Sequence, residues 1–292
     1  MPELPEVQTI VTQLNHKVLH RTFVDIWTDA PKLFKNPKYE RFKKELKGKK
    51  INKIERLGKN ILFHLSDGKI MLAHMKMTGH LLYGQWELKN GKWLSLNAGP
   101  LQDDWTNQFV HVMFFLDKNG MLALTDIRKF AKLEVFNAQG LAEKKDLQLG
   151  PDPLKPGFTL AVFQKALSQK PQGKIKQVLM DQNIIAGIGN IYSDEILWAA
   201  KVHPLAKIST LSKVQLKNLY KYCIAILKKA VELRGESFSD YRDTSGERGN
   251  FDVARKVYGR DKLICFRCKN KLNTVKVGGR TARFCPRCQK PQ

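Results

Sequence analysis

The residues with the clearest chemical potential stand at the start of the chain, in Met1-Pro2-Glu3-Leu4-Pro5-Glu6. An initiator methionine is normally removed before proline, which leaves Pro2 with a free secondary amine. An α-amino group has a pKa of about 7.7 to 8.0, against about 10.4 for lysine, so far more of it is neutral near pH 7. A neutral amine can attack an aldehyde carbon. Pro2 is therefore a candidate nucleophile, and Glu3 beside it a candidate for proton transfer.

A helix is expected to position this amine. Apolar residues between 7 and 14 recur at helical spacing and predict an amphipathic helix, with Glu6 in its first turn. The positive end of the helix dipole would face Pro2. The alternative is that Pro2 and Pro5 merely start a helix whose dipole Glu3 and Glu6 favour.

Four of the five cysteines form two CxxC pairs near the end of the chain, with sixteen residues between the pairs. Thiolates at this spacing can close a tetrahedral zinc site, and the residues between them, with Gly278-Gly279 at the centre, predict a β-hairpin. We therefore expect one structural Zn²⁺. The four ligands are Cys265, Cys268, Cys285 and Cys288. Cys223 lies on an apolar helical face and is expected in a core.

The charge balance indicates a polyanionic partner. The 292 residues carry 51 Lys and Arg against 27 Asp and Glu, a net charge of +24. Nucleic acid is the first candidate and an anionic membrane surface the second. No run of eighteen apolar residues and no signal-peptide pattern occurs, so a soluble, cytoplasmic protein is expected. Charge alone also fits a ribosomal or RNA-binding protein.

The periodicity of the chain changes once. Residues 22 to 136 alternate in short apolar and polar runs, and Asp67-Gly68, Asn90-Gly91 and Asn119-Gly120 predict hairpin turns between them. A β-sandwich with the first helix against it is expected. From Thr159 the period becomes helical, which predicts a helical second domain. Its helices are expected at 159–169, 173–182, 191–201 and 212–233.

Two irregular segments break the helical half. The glycine-rich turn at 187–190 ends in Asn190, which can cap the helix that follows, and that helix N-terminus is suited to phosphate. The alternative is a plain helix hairpin with a capping Asn. Residues 236–252 are dense in Ser, Asp, Thr, Arg and Gly, and the pattern is typical of a mobile loop.

Together, these motifs resemble the formamidopyrimidine-DNA glycosylase family. The similarity lies in Pro-Glu-Leu-Pro-Glu at the N-terminus, a β-rich first half, Gly-Ile-Gly-Asn-Ile-Tyr at 187–192 and a terminal four-cysteine finger, in that order. The chain resembles this branch more than the related endonuclease VIII branch, whose N-terminus usually reads Pro-Glu-Gly-Pro. The resemblance implies a nucleoid-associated bacterial base excision repair enzyme that binds damaged double-stranded DNA, removes oxidised purines and nicks the abasic strand. No repeat or heptad pattern in the sequence supports assembly, so a monomer is expected.

The resemblance also implies a fold class and a domain order. The fold is α+β, with an N-terminal β-sandwich and flanking helix, a helix-two-turn-helix domain and a zinc-finger hairpin. The expected segments are a catalytic domain (1–136), a linker (137–157), the helix-two-turn-helix DNA-binding domain (158–235), a mobile lesion-recognition loop and connection (236–258) and the zinc finger (259–292).

Chemical roles follow by position in the family's motifs. Pro2 matches the Schiff-base nucleophile at C1′ of the damaged nucleotide, and Glu3 the proton-transferring carboxylate. Lys59 matches the lysine that holds phosphate and serves β-elimination, and Arg280 the finger arginine assigned to phosphate binding and δ-elimination. Glu6 is expected to be a supporting carboxylate.

The resemblance further implies a set of DNA contacts. An enzyme that acts on a base must extrude it from the duplex and refill the gap, a task that suits apolar wedges and an arginine. The wedges are then Met77 and Phe130, and the reader of the orphaned base is Arg128. Phosphate contacts are expected from three further side chains, those of His74, Lys176 and Asn190.

Some positions depart from the family's pattern. The segment from Trp86 to Asn107 is longer than usual and is expected to alter the surface that faces the damage. Phe109 stands where a DNA-contacting histidine is often found, and His111 lies two residues away. Two other functions remain open: endonuclease VIII-like excision of oxidised pyrimidines, and zinc-dependent DNA binding without catalysis.

Overall fold

A computed structural model describes residues 1–238 and 240–291, and these divide into two compact units. Unit 1 contains residues 1–147 and 234–250, and unit 2 contains residues 148–233 and 251–291. No helix in the described part of the chain has the length and apolar character needed to cross a membrane.

Unit 1 is a two-layered β-sandwich with a helix packed against it. Helix α1 (Leu4–Lys17) buries its apolar stripe in the core of the sandwich. The first sheet has the order β1-β9-β10-β6 and the second the order β2-β11-β5-β4-β3. The strands of the first sheet are β1 (Phe23–Thr28), β6 (Gly79–Gly84), β9 (Val110–Leu116) and β10 (Met121–Asp126). Those of the second are β2 (Phe34–Asn36), β3 (Ile51–Leu57), β4 (Asn60–Leu65), β5 (Ile70–His74) and β11 (Lys132–Phe136).

The expected hairpins form where the turn residues predict them. Asp67-Gly68 joins β4 to β5 and Asn119-Gly120 joins β9 to β10. Asn90-Gly91 lies between β7 (Trp86–Lys89) and β8 (Lys92–Ser95), which pair with each other in a two-stranded sheet. The predicted sandwich is therefore confirmed, and the long segment after Trp86 contributes a separate two-stranded hairpin to it.

Two connections carry the chain between the sheets at the same edge of the sandwich. The turn from β5 to β6 passes from the second sheet to the first, and the turn from β10 to β11 passes back. Because β10 pairs with β6 and β11 with β5, these two turns lie side by side. This edge is where most of the predicted site residues of unit 1 are found.

Shorter helices and a returning segment complete unit 1. The helices are α2 (Tyr39–Leu46), α3 (Pro100–Asp103) and α4 (Ala138–Glu143), the last within the segment expected to be a linker. Residues 234–250 return to unit 1 from the end of the helical region, and a single bridge pairs Glu236 with Asn250.

Unit 2 joins a helical bundle to the cysteine-rich end of the chain. Its helices are α5 (Leu160–Leu167), α6 (Ile175–Met180), α7 (Asn190–Ala200) and α8 (Lys213–Glu232), in agreement with the four predicted from periodicity. Ser212 caps α8 as part of a capping box. Strands β12 (Asn273–Val277) and β13 (Arg280–Phe284) form the hairpin predicted between the cysteine pairs. The helical domain and the finger are therefore confirmed.

Candidate functional site

The N-terminus of α1 is held by the carboxylate of Glu6. Glu3 and Glu6 are 3% and 1% exposed. One Glu6 oxygen accepts a hydrogen bond from the Glu3 amide at 2.7 Å, and the other accepts one from the Glu236 amide at 2.8 Å. Both oxygens thus have backbone donors, which fits the supporting role predicted for Glu6 and not a role in proton transfer.

The terminal amine lies in a desolvated, charged environment. Burial lowers the pKa of the Met1 amine below its usual value, while the carboxylates of Glu3, Glu6 and Asp240 oppose the shift and Lys59 adds to it. Pro2 is itself buried. Removal of Met1 would transfer the amine to Pro2 within this environment, where burial favours the neutral, nucleophilic form.

Lys59 and His74 meet at the same edge of the second sheet. Ile61 pairs with Ala73, so the turn that carries Lys59 lies beside the end of β5 at His74. Lys59 is 8% exposed. Its charge reaches both the terminal amine and His74. The predicted catalytic lysine and the predicted phosphate contact therefore belong to one cluster with the N-terminus.

The ring of His74 is neutral at physiological pH. Burial, followed by the charges of Lys76, Lys132 and Lys59, lowers the pKa of His74 to about 3. Its Nδ1 accepts a hydrogen bond from the Lys76 amide at 2.9 Å, so the single ring proton resides on Nε2. A neutral histidine with an Nε2–H can donate to a phosphate oxygen.

Met77, Arg128 and Phe130 project from the two turns that cross between the sheets. Met77 is 37% exposed and Phe130 51% exposed, although both are large and apolar. The guanidinium of Arg128 stacks on the Phe130 ring, with its Cζ 4.6 Å from the ring centroid. The structure thus brings together an arginine and two exposed apolar side chains, the types expected of a base reader and wedges.

Asp126 fixes these two turns, and sequence reasoning missed it. Its carboxylate is fully buried and accepts hydrogen bonds from the amides of Phe130 at 2.6 Å and Ala131 at 2.7 Å. The same carboxylate accepts from the Arg128 amide at 3.2 Å and from the Thr78 hydroxyl. The available signal was an aspartate that ends a strand directly before the Ile-Arg-Lys-Phe turn.

Phe109 and His111 have different surroundings. Phe109 is 37% exposed, packs edge-on against Trp105 with ring centroids 5.8 Å apart, and accepts the Asp126 amide with its carbonyl. His111 is buried, and its Nδ1 lies 2.8 Å from the Asp29 carboxylate. Of the two residues, Phe109 therefore lies beside the turn that follows Asp126. A DNA contact from Phe109 or from His111 stays a prediction.

Lys176, in unit 2, is directed inward. It is completely buried, and its ammonium contacts the Asp194 carboxylate at 2.6 Å, the Ser193 hydroxyl at 3.1 Å and the Asn190 carbonyl at 3.3 Å. Burial raises the pKa of Asp194 to about 7, and the charge of Lys176 opposes that rise. This position does not favour the direct phosphate contact predicted for Lys176, whose contacts instead hold the start of α7.

Asn190 is the first residue of α7, and Gly189 occupies the capping position in its place. Asn190 is partly exposed, and its Oδ1 has no hydrogen-bond partner among the described residues. The expected cap is therefore absent from α7 as described. The side chain stands at a helix N-terminus, where backbone N–H groups favour an anion.

Arg280 stands at the tip of the finger hairpin. It begins β13 directly after Gly278-Gly279 and is exposed. Arg283, three residues further along β13, is paired with Asp261 at 2.7 Å and stacks on the Tyr258 ring. Of these two arginines, Arg280 is the exposed one.

The four finger cysteines fit one zinc ion. Their sulfur atoms all lie within 4.8 Å of one another, and Cys268 Sγ is 3.3 Å from Cys285 Sγ. Zinc–sulfur bonds of about 2.3 Å in a tetrahedron place sulfurs about 3.8 Å apart. The Trp198 indole N–H donates to Cys265 Sγ at 3.3 Å, so the donor set also has outer support. This confirms the predicted structural zinc site.

Three family models match the chain in sequence order. Residues 1–133 match the formamidopyrimidine-DNA glycosylase N-terminal domain, and residues 149–242 match the H2TH domain of the same glycosylase. Residues 265–291 match a zinc finger found in FPG and IleRS.

Full-length relatives agree with these models. The chain is 36% identical over 290 residues to formamidopyrimidine-DNA glycosylase of Enterococcus faecalis, covering 99% of this chain and 97% of that one. It is 35% identical over 291 residues to the enzyme of the same name from Streptococcus mutans, covering 99% of this chain and 100% of that one.

Solved structures match over the same length. A complex of Lactococcus lactis Fpg with an abasic site containing DNA is similar, with a TM-score of 0.85 and 31% identity over 99% of this chain and 100% of that chain. A Lactococcus lactis variant bound to a Fapy-dG containing DNA matches with the same TM-score and identity. Fold, zinc ligands and similarity over the full length agree, and the chain belongs to the formamidopyrimidine-DNA glycosylase family.

Proposed function

We propose that this protein is a bifunctional DNA glycosylase and abasic-site lyase of base excision repair that acts on oxidised purines in double-stranded DNA, including 8-oxoguanine and formamidopyrimidines. The observation that carries the proposal is the desolvated terminal amine beside buried Glu3 and Lys59. The two similar Lactococcus lactis structures contain an abasic site and a formamidopyrimidine lesion, which supports the substrate class.

The proposed reaction begins when the neutral amine of Pro2 attacks C1′ of the extruded nucleotide. The C1′–nitrogen bond to the enzyme forms as the glycosidic bond breaks, and the damaged base leaves. Glu3 transfers the proton that opening of the sugar requires, and the product is a Schiff base. Because a protonated amine cannot attack, the lowered pKa at this position favours the step.

Two eliminations then cleave the strand. Lys59 holds a phosphate next to the Schiff base and serves the β-elimination that releases the 3′ phosphate. Arg280 binds a second phosphate and serves the δ-elimination that releases the 5′ phosphate. Hydrolysis of the remaining imine returns the amine to Pro2. Guanidinium and ammonium groups suit both roles, since each leaving group is anionic.

The remaining exposed residues are proposed to hold the opened duplex. Met77 and Phe130 fill the space that the extruded nucleotide vacates, and Arg128 contacts the orphaned base. His74 donates its Nε2–H to a phosphate, and Asn190 binds one at the start of α7. The Lys176 ammonium donates to the backbone carbonyl of Asn190 and so supports the position of that residue. Unit 1 is proposed to supply most of the catalytic residues and unit 2 further DNA contacts, and the proposed place of work is the bacterial nucleoid.

The proposal is tested by replacing the nucleophile. Pro2→Gly is expected to lower nicking of an 8-oxoguanine:cytosine duplex by about a hundredfold or more, because the secondary amine is lost. Pro5→Ala, which alters a proline in the first turn of the same helix, is the matched control and is expected to nick at the rate of the original protein. Full activity of Pro2→Gly would contradict the assigned nucleophile.

The substrate class is tested with a second duplex. Excision of 8-oxoguanine opposite cytosine is expected to be much faster than excision of thymine glycol. A strong preference for thymine glycol would show endonuclease VIII-like specificity, and binding of both duplexes without excision would show a DNA-binding protein that lacks the chemistry.

A further inference from the structure

Residues 240–249, called here the anchored loop, form one side of the amine's surroundings. The segment that leads into the loop contacts Glu6 directly: the Glu236 amide donates to its carboxylate at 2.8 Å, and a Cβ on Gly235 would lie 2.7 Å from its Cγ. Within the loop, the charge of Asp240 reaches the terminal amine. Displacement of the loop would therefore change the charges and contacts around the nucleophilic amine.

The long segment after Trp86 holds the outer side of this loop. Arg242, only 4% exposed, donates from Nε to the Asp104 carboxylate at 2.6 Å. Asn107, 1% exposed, donates from Nδ2 to the Gly246 carbonyl at 3.2 Å and to the Pro100 carbonyl at 2.8 Å. An ion pair between buried Arg242 and partly buried Asp104, together with the buried Asn107 amide, thus joins two segments that lie more than a hundred residues apart in sequence.

Other contacts fix the inner side of the loop. Gln13 of α1 hydrogen-bonds Asp243 at 2.8 Å and the Thr244 amide at 2.9 Å. The Tyr83 amide donates to the Thr244 carbonyl at 2.8 Å and extends the edge of the first sheet into the loop. With one side held by α1 and β6, the position of the other side depends on Asp104 and Asn107.

The carboxylate of Asp104 is oriented towards Arg242 by contacts within its own segment. One carboxylate oxygen accepts from the amide and hydroxyl of Thr106, at 3.0 Å and 2.6 Å, which leaves the other oxygen directed at Arg242. Arg242 in turn donates to the Tyr241 carbonyl at 2.8 Å. Each partner is thus oriented by its own segment before the two meet, which reduces the entropy lost on pairing.

We propose that Asp104, Asn107 and Arg242 are positioning residues for base excision, which hold the anchored loop against the nucleophile's surroundings so that an extruded oxidised base is enclosed there. The inference rests on the proposed function. It also gives the long segment after Trp86 a role: residues 104 and 107 of that segment set the loop's position.

The proposal separates two activities. An abasic nucleotide carries no base to enclose, so nicking of a preformed abasic site needs the amine and Lys59 but not the loop. Excision of 8-oxoguanine needs all of them. Loss of the anchor is therefore expected to reduce excision and to spare abasic-site nicking, whereas general damage to the fold would reduce both.

The main experiment uses Asp104→Asn, which keeps an oxygen for Thr106 and removes the charge that faces Arg242. Single-turnover excision of 8-oxoguanine opposite cytosine is expected to fall about tenfold, the effect of one charged hydrogen bond of about 1.4 kcal/mol. Nicking of an abasic duplex is expected to stay within about twofold. Asp103→Asn removes the same charge from an exposed neighbour and is the matched control, with both rates expected unchanged.

A double-variant cycle tests whether the ion pair itself carries the effect. If Arg242 acts through Asp104, the Asp104→Asn/Arg242→Gln double variant excises 8-oxoguanine no more slowly than the slower single variant. Hydrogen exchange of the amides at 240–249 is expected to accelerate in Asp104→Asn. Should that variant fail to fold, Asn107→Ser breaks the second contact and is expected to reduce excision selectively.

Three results would overturn the proposal: equal loss of excision and abasic-site nicking in a folded variant, unchanged excision in both Asp104→Asn and Asn107→Ser, or additive effects in the double-variant cycle. Failure of the proposed function would look different, since the unmodified protein would then neither excise 8-oxoguanine nor nick the abasic duplex.

Discussion

The carboxylates at the start of α1 share a sequence motif but differ in surroundings. Glu6 accepts hydrogen bonds from the amides of Glu3 and Glu236 on its two oxygens, so it holds the helix start and the segment after α8 in place. Glu3 is next to the amine in sequence and equally buried. The two residues form a reciprocal capping box, in which the Glu3 carboxylate accepts from the Glu6 amide and the Glu6 carboxylate from the Glu3 amide. Glu6 differs by its further contact with the Glu236 amide, which fits the supporting role predicted for it.

At the residue scale, the buried ring of His80 makes the free energy of unfolding depend on pH. His80, in β6, is 1% exposed, and burial together with the charge of Arg242 lowers its pKa from 6.5 to about 4. As pH falls below about 6.5 the unfolded chain gains a proton that the folded chain does not, so stability is full above that pH and is lost on the way to pH 4.

The expected result is a free energy of unfolding that is lower at pH 5 than at pH 7.5 by about 2 kcal/mol from His80 alone. His74 shifts in the same direction and adds to the loss. Urea denaturation at the two pH values measures the difference. His80→Gln is expected to reduce the pH dependence and exposed His16→Gln to leave it unchanged. An undiminished pH dependence in His80→Gln would show that the ring is protonated in the folded state.

At the scale of elements, the two turns that cross between the sheets act as one unit through Asp126. Asp126→Asn places an NH₂ group against backbone donors and leaves at least one of them unsatisfied in the core. The expected loss of stability is about 3 kcal/mol, since each buried donor without a partner costs about 1 to 3 kcal/mol. Binding of an abasic duplex is expected to weaken as well, because Met77, Arg128 and Phe130 lose their common support.

Urea denaturation and a DNA-binding titration measure these effects of Asp126→Asn. The matched control is Asp117→Asn, which alters the paired carboxylate at the other end of the β9–β10 hairpin, remote from these turns. Similar loss of DNA affinity in both variants would mean that the turns do not depend on Asp126.

The zinc finger packs onto α7 within unit 2, so unfolding of the finger is expected to destabilise the end of α7 as well. Cys265 and Cys285 form a small core with Val257, Leu272 and Trp198. Cys285→Ala is expected to release zinc and to increase hydrogen exchange in β12, β13 and the end of α7, because the metal site supplies the folding energy of this region. The sheets of unit 1 have their own core and are expected to keep their protection. Equal loss of protection in unit 1 would contradict this division.

Local patterns were sufficient to predict the elements but not the contacts between them. Alternation, Asx-Gly turns and helical spacing predicted the sandwich and the four helices of unit 2, and two CxxC pairs predicted the metal site. The buried position of Lys176 was not predictable, since its partner Asp194 lies eighteen residues away on another helix. Nor was the Asp104–Arg242 pair, whose members are 138 residues apart. Such contacts depend on how elements pack, which no local period encodes.

At the scale of the whole molecule, the excess of basic over acidic residues suits a polyanionic partner. The net charge of +24 serves electrostatic attraction to DNA in general, which is independent of sequence and weakens with salt. Specificity for damage is proposed to come from a few groups at the sandwich edge: the amine, the two exposed apolar side chains and the anchored loop. Affinity and specificity are thus assigned to different sets of residues.

The central claim is that the amine of Pro2 forms a covalent bond with the damaged nucleotide. The most direct test is borohydride trapping of the purified protein, with Met1 removal confirmed by intact mass, on a duplex that carries 8-oxoguanine opposite cytosine. Borohydride reduces an imine to a stable amine, so a protein–DNA adduct on the damaged strand, with the modified peptide beginning at Pro2, is the predicted result. No adduct, or an adduct on a lysine side chain, would contradict the account.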